Sequence, residues 1–371
     1  MKILWLNWKD RKNPLAGGAE IVTEELLKRL VKDSHQVTLL TSKFKGAKEK
    51  EIIDGYEIIR VGSKWTVYWQ AYRYYKKHLA GWADLVIDEV NTIPFFAKYY
   101  VHPVKSILFI HQLCRQIWFY EMFFPLNIIG YLLEPIYLWL LRDRQVITVS
   151  QSTKNDLVKH GFNEKKIDVI SEGIEIEPIE SLEKISKYNK PTILSLGAIR
   201  PMKRTEQIIK AFSIAKKEIK DLELLIAGDV NDRYGRKILK MIDSAPYRNS
   251  IRCLGRVGQE RKIELMQKSH LICATSVKEG WGLIVTEANS QGTPAIVYDV
   301  DGLRDSVKHN ETGIICQKNN PKNLARNIID LLNNQQKYQV LRKNAWQWSK
   351  EINFKKSVQE FERIIKQTKN Q

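Results

Sequence analysis

Two glutamates, Glu279 and Glu287, lie eight positions apart in the segment "KEGWGLIVTE". Between them, Gly280 and Gly282 flank Trp281, and glycine lets a ligand approach the backbone closely. The apolar run after Gly282 predicts a helix, whose first N–H groups have no partner within the helix and can hold an anion. The segment therefore predicts a site for a phosphate-bearing ligand, with one carboxylate reaching a polar head group and the other reaching hydroxyls behind the phosphate.

The anion is expected at the first residues of this helix, Leu283, Ile284 and Val285. The alternative interpretation involves no ligand. In that case Glu287 only favours the start of the helix through the helix dipole, and Glu279 is solvated. Residue spacing alone leaves both interpretations open.

Basic residues lie in "LGAIRPMKRTEQ", between a predicted strand and a predicted helix. Positive charge at a helix N-terminus is locally unfavourable, because the helix dipole is itself positive there. An anion bound beside Gly197, Arg200 and Lys203 would remove this cost. We therefore expect Arg200 and Lys203 to hold an anion; the alternative is a solvated helix start.

Two further candidates lie in the first half of the chain. Gly17 and Gly18 follow the first predicted strand and open the first helix, either as a loop that a phosphate approaches or as a tight strand-to-helix turn. His111 ends the predicted strand "SILFIH", where a histidine is as often structural as functional.

Predicted strands and helices alternate along the chain, which indicates parallel sheets covered on both faces. The alternation breaks at a predicted linker, residues 177–191, and then starts again. We therefore expect an α/β protein with two doubly wound domains, residues 1–180 and 190–350. An amphipathic helix at 351–371 is expected to pack back on the first domain. Ligands bind such sheets at the carboxyl ends of the strands.

The chain has 371 residues, a formal net charge of +18 and a pI of about 9.5. Residues 1–180 carry 25 Lys/Arg against 22 Asp/Glu, and residues 181–371 carry 35 against 20. Such a surface attracts phosphates, nucleic acid or anionic lipid, or is simply a solvated basic face. No arginine-rich tract, zinc-finger spacing or RNA-binding aromatic motif is present, so no nucleic-acid partner is expected.

Four widely spaced cysteines, none in a C-x-x-C pair, predict a reducing compartment, which places the protein in the cytoplasm, and no metal site. The N-terminal apolar run is too short for a signal peptide. Within the aromatic-rich segment 117–141, residues 122–141 have the length of a membrane span. Polar residues and prolines interrupt them, so a buried helix pair, or a helix docked on a membrane surface, is the preferred prediction.

The segment "EGWGLIVTE", followed by "ANSQGTPAIVYDVDGLRDSV", resembles the E-x7-E segment of retaining glycosyltransferases of family four. Both glutamates, the Gly-aromatic-Gly between them, the G-T-P turn and Gly302 match the family pattern. The resemblance extends over most of the chain. It implies the GT-B fold, in which two Rossmann-like domains face each other across a cleft, an acceptor-side domain at 1–180 and a donor domain at 190–350.

The resemblance implies roles for the second-half residues. Glu287 would hydrogen-bond the nucleotide ribose, Glu279 would contact the donor sugar, and the helix start between them would receive the diphosphate. Gly197 and Lys203 match a second family motif, in which an arginine is expected where this chain has Ala198. Arg200, or alternatively Arg204, would supply that charge from a shifted position.

The same resemblance places the remaining candidates. Gly17 and Gly18 would lie beside the donor phosphate and the acceptor. His111 would line the donor sugar and orient it together with Glu279. The segment "GRV" at 255–257 would pass the nucleobase, which implicates Val257.

The implied activity is transfer of a sugar, with retention of configuration, from a nucleotide-diphosphate donor to an acceptor hydroxyl, without a metal or another cofactor. A UDP-sugar such as UDP-glucose is favoured as donor, with GDP-mannose as the other option. The acceptor would be a glycan or a lipid-linked sugar of cell-surface polysaccharide or glycoconjugate synthesis. A peripheral contact with the anionic inner face of the cell membrane fits the basic charge and the apolar segment. The alternatives are a GT-B enzyme of another reaction, such as a phosphorylase or a sugar-nucleotide epimerase, and a non-catalytic subunit that binds a sugar nucleotide or glycan.

Overall fold

The computed structural model describes residues 1–101 and 105–370, which divide into two compact units. The first unit comprises Met1–Arg115, Ile128–Gly173 and the C-terminal segment from Asn353 onward. The second comprises Gln116–Asn127 and Ile174–Ile352.

Strands and helices alternate along both units, as the sequence pattern predicts. The strands are β1 Lys2–Leu6, β2 Gln36–Thr41, β3 Lys50–Ile53, β4 Tyr56–Arg60, β5 Leu85–Glu89, β6 Lys105–Ile110, β7 Val146–Thr148, β8 Ile167–Val169, β9 Thr192–Leu196, β10 Glu223–Ala227, β11 Ile251–Cys253, β12 Leu271–Ala274, β13 Ala295–Val297 and β14 Gly313–Ile315. The α-helices are α1 Gly18–Lys32, α2 Val67–Tyr74, α3 Ile117–Glu121, α4 Leu126–Leu141, α5 Gln151–Lys159, α6 Thr205–Ala215, α7 Arg233–Asp243, α8 Gln259–Lys268, α9 Leu283–Ser290, α10 Pro321–Asn333, α11 Gln335–Ser349 and α12 Phe354–Asn370.

The sheet of the first unit has the strand order β3-β4-β2-β1-β5-β6-β7-β8. Its pairings are parallel except that of β3 with β4. Strand β1 is central, with Ile3 opposite Val37 on one side and Leu85 on the other. Because helices cover both faces of such a sheet, its inner strands consist almost entirely of buried residues, most of them apolar.

The antiparallel pair β3–β4 is a hairpin that the sequence analysis did not predict. Its turn residues, Asp54 and Gly55, both have positive φ angles, 48° and 88°, as a two-residue hairpin turn requires. Strand β3 lies at the sheet edge, where Ile52 is 75% exposed. An edge strand needs no continuous apolar run, and β3 lacks the run by which the buried strands were predicted.

The sheet of the second unit is parallel throughout, in the order β11-β10-β9-β12-β13-β14. Neighbouring strands β9 and β12 pair in register with Leu271 opposite Ile193, so their carboxyl ends meet at one edge of the sheet. The change of direction in strand order falls between them, because β10 and β11 continue to one side and β13 and β14 to the other. Such a switch point is where ligands bind to doubly wound sheets.

The C-terminal helix α12 belongs to the first unit, where it packs against α1. Phe361 is fully buried, and its ring stacks on that of Trp5 with centroids 5.4 Å apart. The chain approaches Gly173 so closely that a Cβ atom there would lie 2.4 Å from the backbone nitrogen of Phe354. The prediction for 351–371 placed this helix on the first domain; residue 371 lies outside the described residues.

The short helix α3 groups with the second unit, whereas the sequence analysis placed all of 1–180 in the first domain. One side chain of α3 contributes to this grouping. The Glu121 carboxylate accepts hydrogen bonds from Arg200 Nε and from the Met202 backbone N–H, both at 3.2 Å.

Across residues 1–101 and 105–370, no helix has both the length and the apolar character needed to cross a membrane. Helix α4 covers most of the candidate segment and is 16 residues long.

Replacement of Phe361 by alanine should destabilise the first unit by about 3–5 kcal/mol, because it leaves a cavity between the Trp5 and Phe109 rings. Urea unfolding followed by tryptophan fluorescence would measure this change. Gln367→Ala, on the exposed side of the same helix, is the control and should change the unfolding free energy by less than about 0.5 kcal/mol. Equal effects of the two substitutions would contradict the packing of α12.

Candidate functional site

Two loops meet at the switch point of the second sheet, one after β9 and one after β12. The Thr275 hydroxyl donates to the backbone oxygens of Lys203 and Arg204, at 3.1 and 3.0 Å. The Val277 N–H donates to the Met202 oxygen at 2.8 Å. These bonds hold the predicted basic loop against the predicted glutamate-bearing loop.

Arg204 completes this connection between the loops. Its Nε and Nη2 donate to the backbone oxygens of Thr275 and Ser276, each at 2.7 Å, and its guanidinium lies over the Tyr298 ring. Arg204 has a φ of 52°, an unfavourable value for a residue with a side chain. The sequence left open whether Arg200 or Arg204 supplies a cation in place of Ala198. Arg204 is engaged within the loops, and the supply of this charge by Arg200 stays a prediction.

The structure brings Lys203 and Glu279 together. The Lys203 ammonium pairs with Glu279 Oε1, which also accepts a hydrogen bond from the Ser276 hydroxyl. Both side chains keep contact with solvent, at 27% and 13% exposure. Arg200, on the same turn as Lys203, is 43% exposed and lies 3.2 Å from Glu121.

Helix α9 begins beside this ion pair. Its N-cap residue, Gly282, has a φ of 106°, and no side chain among the described residues caps the helix. Of the three residues expected to receive the anion, Val285 is fully buried and its N–H already bonds to the Gly282 oxygen at 2.8 Å. Leu283 and Ile284 are half-buried. The helix start thus presents backbone amides next to a lysine, as anion binding requires.

Trp281 lies between the two glycines and packs inward. It is half-buried, and its ring centroid lies 6.4 Å from that of Trp348 in α11. Its indole Nε1 is buried and has no hydrogen-bond acceptor among the residues that the structure describes.

Glu287 lies in the first turns of α9 and is only 3% exposed. Its Oε1 is 2.7 Å from the ammonium of Lys262 in α8. The sequence analysis did not identify Lys262, because a lysine on a helix 25 positions away carries no local sign of this pairing.

The loop of residues 299–302 holds Glu279 from the opposite side. The Glu279 N–H donates to the Asp301 oxygen at 3.0 Å. Gly302 has a φ of 78°, and a Cβ atom there would lie 2.3 Å from the Glu279 carbonyl oxygen, so only glycine fits. Asp299 and Asp301 have D-x-D spacing, and Arg304 contacts both at 2.6 and 3.1 Å.

Two predicted donor-binding residues lie nearby in the second unit. Gly197 follows β9 with a φ of 121°, and its N–H bonds to the Ala227 oxygen at 3.0 Å. Val257 is half-buried, and like Ile284 it packs on the rim of an apolar cluster that includes Val285.

Gly17, Gly18 and His111 belong to the first unit. The glycines are exposed at the start of α1, and the Gly17 N–H donates to the Glu20 carboxylate at 2.6 Å. Glu20 is buried and also accepts a hydrogen bond from the Asn91 side chain at 2.7 Å. The carboxylate therefore fixes the shape of the glycine turn.

His111 is buried between two carboxylates. Its Nε2 lies 3.3 Å from Glu89, and its Nδ1 lies 3.3 Å from Glu172. Burial opposes the charge of the imidazolium, but the two carboxylates outweigh it and raise the pKa of His111 to about 10. His111 is therefore a cation at neutral pH, held in a buried ion-pair network, and its contact with a donor sugar stays a prediction.

Comparison with known proteins identifies the family. Residues 16–178 match the family model described as Glycosyltransferase Family 4, and residues 179–348 match the model described as Glycosyl transferases group 1. The chain belongs to glycosyltransferase family 4. The family resemblance inferred from the E-x7-E segment is thereby confirmed.

Individual relatives agree with this membership. An uncharacterised glycosyltransferase of Methanocaldococcus jannaschii is 30% identical over 233 residues, which make up 61% of this chain and 59% of that protein. The chain spans 51–59% of the length of this relative and of two further uncharacterised glycosyltransferases, and less than half of several other curated relatives.

Solved structures share the fold. A sucrose-phosphate synthase from Thermosynechococcus elongatus superposes with a TM-score of 0.79 at 17% identity, covering 99% of this chain and 98% of that one. HepE from Anabaena, solved in complex with UDP-glucose, has a TM-score of 0.72 at 16% identity and covers 99% and 100%. The predicted GT-B fold, with two Rossmann-like domains, is confirmed.

The stability of the first unit should depend on the charge of His111. Because the folded-state pKa lies above the ordinary value of 6.5, its contribution is complete below about pH 6.5 and is lost as the pH rises through 10. His111→Gln should remove a pH-dependent part of the unfolding free energy on the order of 5 kcal/mol or less. Urea unfolding of both proteins at pH 6, 8 and 10 measures it, and parallel pH profiles would show that His111 is not charged in the folded state.

Proposed function

We propose that the protein is a retaining glycosyltransferase that moves a sugar from a nucleoside-diphosphate donor to an acceptor hydroxyl. The observation that carries the proposal is the meeting of Lys203, Glu279 and the start of α9 at the switch point of the second sheet. The cation and the backbone amides at the helix N-terminus suit the diphosphate of such a donor, and the carboxylate suits the hydroxyls of its sugar.

The diphosphate would lie against the first amides of α9 and compete with Glu279 for the Lys203 ammonium. Binding would then release Glu279 toward the sugar hydroxyls. Glu287, buried and held by Lys262 at 2.7 Å, would accept hydrogen bonds from the ribose. Gly197 and Val257 would border the phosphate and the base.

The reaction would be a displacement on one face of the sugar. The acceptor oxygen forms a bond to the anomeric carbon while the bond from that carbon to the phosphate oxygen breaks. The acceptor proton passes to the leaving phosphate oxygen. Lys203 and Arg200 would stabilise the charge that develops on the diphosphate, which is the part a metal ion plays in other enzymes, so no metal or cofactor enters the proposal.

The donor we favour is a UDP-sugar, UDP-glucose among them, with GDP-mannose as the other option. The complex of HepE with UDP-glucose supports the fit of such a ligand to this fold. The acceptor would be a glycan or lipid-linked sugar of cell-surface polysaccharide or glycoconjugate synthesis, at the cytoplasmic face of the membrane. Gly17, Gly18 and His111 would serve the acceptor side and the donor sugar.

One observation favours a second candidate, a non-catalytic subunit that binds a sugar nucleotide. Ala198 stands where the family has an arginine, and it is exposed. Tight donor binding without release of nucleoside diphosphate, in the presence of acceptor, would favour this candidate over an enzyme.

Lys203→Ala and Glu279→Ala should each lower kcat by about two orders of magnitude or more, because each removes a group that acts on the diphosphate or the sugar. Release of nucleoside diphosphate measures turnover. Lys217→Ala and Glu218→Ala, two exposed charge deletions in the same unit, are matched controls and should keep normal rates. Near-normal turnover in both site variants would refute the assignment.

Donor binding should raise the thermal stability of the second unit. At a ligand concentration 100 times Kd the gain is about 2.7 kcal/mol. Thermal shift with UDP, UDP-glucose, GDP and GDP-mannose compares the bases directly, and Glu287→Gln should reduce the shift from every nucleotide. If none of the four ligands shifts the melting curve, the protein has no donor site of this kind.

A further inference from the structure

Helix α4 is apolar on both of its sides. Toward the interior, Tyr137, Leu138 and Leu141 are buried in a core cluster of the first unit. Glu134, only 1% exposed, accepts hydrogen bonds from the backbone N–H groups of Cys114 and Arg115, both at 2.6 Å. The inner side of the helix is thus buried against the core of the first unit.

The outer side of α4 is apolar as well, although it faces solvent. An ordinary surface helix presents charged residues on this side. Here six large apolar side chains are between 41% and 60% exposed, and they recur at helical spacing over more than two turns. We call them the outer stripe: Ile128, Ile129, Leu132, Leu133, Ile136 and Trp139. An exposed apolar surface of this extent marks a contact with a partner or a membrane.

Aromatic and basic side chains border the C-terminal end of the outer stripe. The Arg142 guanidinium lies 5.0 Å from the Trp139 ring centroid, and the Lys98 ammonium lies 4.9 Å from that of Tyr99. The Tyr99 hydroxyl, on a residue that is 57% exposed, donates to the Leu140 oxygen at 3.3 Å. Tryptophan and tyrosine beside lysine and arginine are typical of the boundary between lipid tails and headgroups.

The aromatic border continues along the first unit. The Tyr72 ring lies 5.3 Å from that of Tyr100, the neighbour of Tyr99. On α2 and just before it, Trp69 and Trp65 are 56% and 64% exposed. Each again has a basic partner over its ring, Arg73 at 4.6 Å and Lys64 at 5.1 Å. Four exposed aromatic side chains, those of Trp139, Tyr99, Trp69 and Trp65, therefore each have a cation over the ring.

We propose that the outer stripe of α4 inserts into the surface of an anionic lipid bilayer, with the helix lying in the plane of the membrane. At 16 residues the helix is about 24 Å long, shorter than the roughly 30 Å hydrocarbon core, so it lies at the interface and does not span. The stripe enters the boundary between headgroups and tails, and Arg142, whose guanidinium lies over the Trp139 ring, meets the lipid phosphates.

Charge argues for lipid over a second copy of the chain. The net charge of +18 makes two copies repel each other, whereas it attracts an anionic surface. Beyond the end of α4, Lys98 and Arg144 each contact the Asp143 carboxylate at 2.7 Å, and the Arg142 guanidinium lies over the Trp139 ring. The stripe therefore has a cationic border on the side where lipid phosphates would lie.

Flotation of the full-length protein with vesicles tests the proposal. The protein should bind vesicles of phosphatidylcholine with about a third phosphatidylglycerol and bind pure phosphatidylcholine far less. The triple substitution Ile129→Ser, Leu132→Ser and Ile136→Ser should weaken the partition at least about tenfold. The matched control is Ile52→Ser with Val340→Ser, exposed apolar residues elsewhere, which should bind normally. No donor or acceptor is needed, so the outcome is independent of glycosyl transfer.

Depth measurement covers the case in which the triple variant fails to fold. Brominated lipids should quench part of the tryptophan fluorescence of the unmodified protein, and Trp139→Phe should measurably reduce that quenching. The proposal is overturned if the wild-type protein fails to float with anionic vesicles at low salt, or if the folded triple variant floats equally well. It is also overturned if Trp139 is unquenched, or if the stripe instead mediates a dimer that sedimentation detects and the triple substitution abolishes.

Discussion

The hydrogen bonds between the loops after β9 and β12 are the constraint on which the candidate site depends. Lys203 and Glu279 are 76 positions apart and meet because Thr275 and Arg204 tie the two loops together. Arg204 adopts a left-handed backbone conformation that costs roughly 1 kcal/mol or more, and two charge-assisted hydrogen bonds offset that cost. The parallel sheet brings the strand ends together, but this connection sets the distance between the charged side chains.

Both units contain paired charged side chains, but the pairs differ in their exposure to water. In the second unit the charged pairs Lys203–Glu279 and Lys262–Glu287 keep some access to water. In the first unit the imidazolium of His111 is enclosed by two carboxylates, and Glu89 is in turn fixed by Trp5 Nε1 at 2.6 Å. A buried ion pair of this kind is expensive to break, which suits a part of the scaffold that stays fixed.

The sequence predicted what depends on local pattern. The alternation of strands and helices, the parallel sheets and the E-x7-E segment are all encoded within short windows, and the structure has them. It did not predict the partners that come from distant positions. Lys262 reaches Glu287 from another helix, and Glu121 reaches Arg200 from α3, and neither pairing leaves a mark in its own segment. The β3–β4 hairpin was not predicted, because an exposed edge strand such as β3 needs few apolar residues and gives little apolar pattern to detect. The outer side of α4 could be recognised as apolar, but only burial showed which of its residues face solvent.

The hydrogen bonds of Glu134 have a mechanical consequence. Its carboxylate accepts hydrogen bonds from two successive backbone N–H groups, those of Cys114 and Arg115. Both lie in the loop that follows β6, four and five residues after the end of that strand. Glu134 lies in the middle of α4, so these hydrogen bonds link the helix directly to the loop. A tilt or shift of α4 would therefore move the loop that follows His111. A surface that binds α4 would then influence the position of the carboxyl end of β6.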